Sequence, residues 1–117
     1  MVAIKNLNLS QFSGMSFISK ILMFLNPQNY CVLDKKISKL RTPECTKALS
    51  HLAFGPKETR IRISQNNENV YNAWREECRA ISAQYYNNTY RVADVERGFF
   101  TLIQGNLLRA REIYNVA

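Results

Sequence analysis

The stretch Asn67-Glu68-Asn69-Val70-Tyr71-Asn72-Ala73-Trp74-Arg75-Glu76-Glu77-Cys78-Arg79-Ala80-Ile81-Ser82-Ala83-Gln84-Tyr85-Tyr86 decides the fold class. Val70, Trp74, Cys78, Ile81 and Tyr85 recur at steps of four, four, three and four, which puts one apolar stripe on a helix and predicts a central core helix over 67–86. At this spacing Trp74 reads as core rather than as a platform for stacked bases. Asn87-Asn88-Thr89 then supplies a turn. A second amphipathic helix follows over Val92 to Gln104, with Val92, Val95, Phe99, Leu102 and Ile103 inward and Gly105 as its stop. Leu107 to Val116 forms a last helix or frays.

Upstream, Ser16 to Leu25 places Phe17, Ile21 and Phe24 on one helical face with Ile18, Leu22 and Leu25 beside it, and Asn26-Pro27 ends the run. Asp34 is placed as N-cap of a short helix through Leu40. Thr42-Pro43-Glu44 reads as N-cap, first-turn proline and first-turn acid of a helix to about Ala53. Arg60-Ile61-Arg62-Ile63 alternates, as a short strand or an extended connector does. The expectation is an all-α chain of five or six short helices, with at most one short strand near 60–63. At 117 residues, 46% apolar and 21% charged, it is a single compact domain spanning 1–117 with a real core.

The net charge of +7 is local. Residues 35–62 hold Lys35, Lys36, Lys39, Arg41, Lys47, Lys57, Arg60 and Arg62 against Glu44 and Glu58, so this quarter of the chain carries nearly all of the excess. Its natural partner is a polyanion. Asp94 and Glu96, two apart on a helix, point away from one another and are expected to pair with Arg91 and Arg97 or to complement the helix N-terminus rather than to act together. Cys31, Cys45 and Cys78 are odd in number and widely spaced, with His51 the one histidine, so they suit a reduced, cytoplasmic core rather than a disulfide framework or a zinc site. No secretory signal, membrane span, phosphate loop or dinucleotide fingerprint is legible, and no metal or cofactor is expected.

Leu9-Ser10-Gln11-Phe12-Ser13-Gly14-Met15-Ser16, followed by the apolar helix to Leu25, resembles a helix-hairpin-helix over about 7–40. In that motif the amides of a glycine turn and of the following helix N-terminus point at a DNA phosphate. With Asn26-Pro27-Gln28-Asn29-Tyr30-Cys31-Val32-Leu33-Asp34, the stretch from Leu9 to Leu40 resembles part of the helix-hairpin-helix DNA glycosylase superfamily. The resemblance implies phosphate contact at Ser13, Gly14, Met15 and Ser16. It also makes Asp34 the carboxylate that stabilises the sugar cation as a base leaves. Lys20, Lys35, Lys36, Lys39, Arg41, Arg60 and Arg62 would supply the surrounding charge.

This sequence departs from the superfamily pattern in three ways. Phe17 or Ile18 stands where lyase members carry a nucleophilic lysine, so β-elimination is not expected. Lys35 and Lys36 follow Asp34 where a small or hydroxyl residue and a histidine are usual. Ser16 stands where the second turn glycine belongs. The rest of a glycosylase pocket is expected from a protein partner.

The leading expectation is therefore a module that binds duplex DNA, mainly through its phosphates. The alternatives are a hydrolytic, glycosylase-like enzyme using Asp34, or an interaction domain for an acidic protein. Lys35 and Lys36 are expected to matter far more to DNA affinity than Arg109 and Arg111.

Overall fold

The computed structural model describes residues 14–55 and 57–117. Four α-helices, α1 (Met15–Leu25), α2 (Gln65–Tyr86), α3 (Val92–Gly105) and α4 (Leu107–Val116), are joined by two short 3₁₀ turns, Ile37–Leu40 and Ala48–His51. The chain is all-α, with four α-helices rather than five or six among the described residues. The expected strand near 60–63 is one isolated antiparallel bridge between Arg62 and Gly14.

Helix α2 starts where its sequence caps it, with the Asn67 N–H donating to the Ser64 hydroxyl, and ends at Asn87 in the left-handed conformation. Its buried face is Val70, Tyr71, Trp74 and Cys78, while Tyr85, expected inward, is exposed. Trp74 is the hub of the core. Its ring lies 5.8 Å from Phe99 on α3 and 5.6 Å from Tyr114 on α4, and those two rings are 5.8 Å from each other. Edge-on and tilted packing of this kind adds to plain area burial. All three cysteines are free and buried.

The segment between α1 and α2 is largely irregular, and side chains of the helices satisfy its backbone. Trp74 Nε1–H donates to the Val32 carbonyl at 3.1 Å and Tyr71 O–H to the Cys31 carbonyl at 2.8 Å. The Leu33 N–H donates to Ser19 Oγ at 3.0 Å. Asn67 serves the far end, accepting the Ala53 N–H and donating to the Ala53 and Arg62 carbonyls. These bonds explain why no full helix runs from Thr42 to Ala53. Continuing an α-helix would need the Ala48 and Leu49 amides to reach the carbonyls four residues back. They donate instead to the Glu77 carboxylate at 2.9 Å and to the Tyr114 hydroxyl at 3.2 Å.

Helix α1 departs from its apolar pattern. Met15, Ile18 and Ser19 are its buried residues, and Phe24 and Leu25 are exposed at 82% and 72%. The turn after it follows the pattern closely. Asp34 Oδ1 accepts the Ile37 N–H at 2.9 Å and its carbonyl accepts the Ser38 N–H, so Asp34 caps the Ile37–Leu40 turn.

Candidate nucleic-acid interface

The expected phosphate-binding bend is turned inward. Ser13 and the preceding helix of the expected hairpin lie outside the described residues. Gly14 and Met15 are buried, Met15 completely, and the Met15 N–H donates to the Ile61 carbonyl at 3.0 Å. Gly14 has an ordinary extended backbone as N-cap of α1, so no left-handed turn is built there. Its Cα faces the Arg60 side chain, which a Cβ would meet at 3.5 Å. Gly14 and Met15 therefore belong to the seam between α1 and the 60–63 segment, and Met15 has no amide to offer a phosphate. Ser16 is half-buried in the first turn of α1.

The cations are better gathered than the bend. Lys35, Ser38, Lys39, Arg41, Phe54 and Arg111 line an open groove of about 200 Å³. Lys35 lies two residues before the Ile37–Leu40 turn and Lys39 within it. Arg41 is fixed by the carbonyls of Leu52 at 3.2 Å and Phe54 at 2.8 Å, with its guanidinium 5.4 Å from the Phe54 ring centre. Arg111 comes from α4, and its Nε–H donates to the Lys39 carbonyl at 2.7 Å. Among the described residues no acidic side chain lines this groove, so its lining carries four positive charges and no carboxylate.

Lys36 faces the other way. Its ammonium lies 5.2 Å from the Phe100 ring centre, and the Arg97 guanidinium lies 5.0 Å from the same ring. One aromatic ring thus meets two cations. Phe100 and Arg97 also line a cleft of about 410 Å³ whose other walls include Lys20, Met23, Val32, Asp34 and Ala93. Exposed Arg60 and Arg62 lie beside Gly14, on the α1 seam. Lys47 is elsewhere, donating to the Ala117 carbonyl at 2.8 Å.

No family model, curated protein or solved structure matches the chain.

Two residues of this surface escape a reading of the sequence. Arg111, expected to be indifferent, completes the groove from a helix that lies far along the chain. Glu96, expected to pair with Arg97 or to complement the helix N-terminus, is 4% exposed and accepts the Val32 N–H at 3.0 Å through Oε1. Burial pushes its carboxyl up to about 7, and the Asp34 charge adds to that rise against the Val32 N–H, Arg97 and Lys20. Asp94 does pair as expected. Arg91 grips it at 3.0 and 3.1 Å, which holds its carboxyl below the usual range.

Proposed function

We propose that this chain is a DNA-binding helical module that holds duplex DNA by its phosphates. The observation that carries the proposal is the groove in which Lys35, Lys39, Arg41 and Arg111 stand together with no carboxylate among its described lining residues. We assign these side chains to phosphates rather than to base edges, so the binding is largely indifferent to sequence. Arg41 and Arg111 are already anchored to backbone carbonyls, so ordering them on a ligand costs less than ordering free side chains. The helix-hairpin-helix part of the proposal rests on the sequence resemblance over 9–40, and the contacts are assigned to side chains, not to the Gly14 and Met15 amides.

Fluorescence anisotropy of a labelled duplex, titrated across salt concentrations, tests this. Four phosphate contacts give a slope of log K against log salt of about −3.6, and two unrelated duplex sequences bind alike. A slope near zero, or no binding in low salt together with capture of an acidic protein, speaks for an interaction domain instead.

The second reading, hydrolytic base excision, is favoured by the 410 Å³ cleft that Asp34 borders. Val32 and Asp34 are anchored on one side of it, and Met23, Ala93 and Phe100 give it apolar walls. A cleft of this size accepts a single nucleobase. Alkaline cleavage of lesion-containing duplexes after incubation reveals abasic sites. Release that disappears in Asp34→Asn supports the reading, and binding without release leaves the module alone.

A further inference from the structure

The cleft bordered by Asp34 contains another carboxyl that the base-excision reading leaves idle. Three acidic side chains line it, and the structure gives each a different setting. Asp94 is consumed by Arg91. Asp34 is half-buried and caps the Ile37–Leu40 turn through Oδ1. Glu96 is buried, and its Oε1 is tied to the Val32 N–H, two residues before Asp34 in the same segment. Trp74 and Tyr71 hold that segment from the other side through the Val32 and Cys31 carbonyls. Glu96, from α3, is thus bonded to the same stretch of backbone that carries Asp34.

We propose that Glu96 is the proton donor of this cleft and Asp34 its charge-stabilising partner, so that the leaving base is a neutral one that must be protonated as it departs. The inference rests on the base-excision reading and assigns that site its second residue and its substrate class. When two carboxyls in one site sit in unlike environments, the buried one keeps its proton and the more solvated one carries charge. The charged and titratable groups around Glu96 include Lys20 from α1, Asp34 from the connecting segment, Cys78 from α2 and Arg97 from its own helix, and the paired Arg91 and Asp94 line the same cleft. The raised Glu96 carboxyl is in keeping with the assignment.

In the step itself the bond between C1′ and the base nitrogen breaks, and its electron pair stays with the base. The Glu96 proton moves to the base, leaving Glu96 ionised. Asp34 stabilises the sugar cation and takes one proton from the water whose oxygen bonds to C1′. That proton returns through solvent to Glu96, so the sum is hydrolysis to a free base and an abasic sugar. A base already cationic, such as N7-methylguanine, leaves without needing the proton.

The test compares single-turnover release of neutral bases (uracil, hypoxanthine, 8-oxoguanine) with release of N7-methylguanine from duplexes, in wild type, Glu96→Gln and Asp34→Asn. Glu96→Gln keeps an oxygen for the Val32 N–H, and circular dichroism melting checks that it folds. The proposal expects neutral-base release that declines above about pH 7, because Glu96 must be protonated. It expects Glu96→Gln to slow that release by at least about 10²-fold and to abolish the decline. N7-methylguanine release should change by less than about threefold by the same argument, and Asp34→Asn should lose both. If Asp34→Asn loses release while Glu96→Gln keeps the wild-type rate and pH profile, the Glu96 assignment falls and base excision stands. Equal loss on neutral and cationic bases in Glu96→Gln also overturns the proton-donor role. Failure of wild type to release any of these bases overturns both.

Discussion

Glu96 Oε1 accepts the Val32 N–H at 3.0 Å across sixty-four positions of sequence, joining helix α3 to the segment that carries Asp34. A buried carboxyl used in this way makes stability depend on pH. Its folded pKa, about 7, lies above the ordinary value of 4.5, so the folded state holds the proton more tightly than the unfolded one. The contribution is complete below pH 4.5 and is lost as pH rises through about 7. The difference in unfolding free energy between wild type and Glu96→Gln, measured by urea titration at several pH values, should therefore move by about 3 kcal/mol in favour of the variant between pH 4.5 and 8. A pH-independent difference would show that Glu96 is not buried as described.

Trp74 holds three elements at once, through Phe99, Tyr114 and the Val32 carbonyl. Trp74→Ala should cost about 3–5 kcal/mol in chemical denaturation. Trp74→Phe should cost less, but more than its lost volume alone, because the Val32 carbonyl loses its buried donor.

Asn67 is almost fully buried and bonds the backbone of Ala53 twice and that of Arg62 once. Removing it leaves three backbone groups to find other partners. Asn67→Ala should destabilise by roughly 2–4 kcal/mol, and Asn67→Asp by less at low pH than at neutral pH, because the ionised form cannot donate to the two carbonyls. Hydrogen exchange should show earliest opening around Ala53 and Arg62. Uniform loss of protection instead would argue that Asn67 does not pin this connection.

Phe24 offers the converse case. Its ring is 82% exposed although the helical pattern of α1 places it with the core residues. Phe24→Lys should change the unfolding free energy by no more than about 0.5 kcal/mol. A loss of several kcal/mol would mean that the ring is covered.

The helices around Trp74 were legible because their apolar residues keep a helical period and Asn87 marks the turn between two of them, whereas the Ser64 cap, three residues ahead of the expected start, was not read. The Asp34 cap was legible for the same local reason. Phe24 and Leu25 were misplaced because the α1 pattern is apolar over so wide an arc that periodicity cannot choose the buried side. The missing helix after Pro43 follows from tertiary partners. Glu77 and Tyr114 take the amides that a helix would use, and neither is near Ala48 in sequence. The candidate site shows the same division. The cluster of Lys35, Lys39 and Arg41 is a local fact of sequence, whereas Arg111 joins it only through a bond to the Lys39 carbonyl made seventy-two positions away. Glu96 looked like a surface residue because nothing in its neighbourhood announces the Val32 amide. The Gly14 bend was misjudged because the Ile61 carbonyl that takes the Met15 N–H comes from the far side of the connection.

The groove assignment is tested most directly by comparing Arg111→Glu with Arg109→Glu in duplex-DNA binding at low salt. Both variants change one arginine of α4 by the same charge, but half-buried Arg111 lines the groove while exposed Arg109 is paired with Glu112 outside it. Arg111→Glu should lower affinity about tenfold or more, about 1.4 kcal/mol, and reduce the salt slope by about 0.9. Arg109→Glu should stay within about threefold of wild type, as a charge away from the contacted phosphates does. Equal losses for the two, or an unchanged slope in Arg111→Glu, would contradict the assignment.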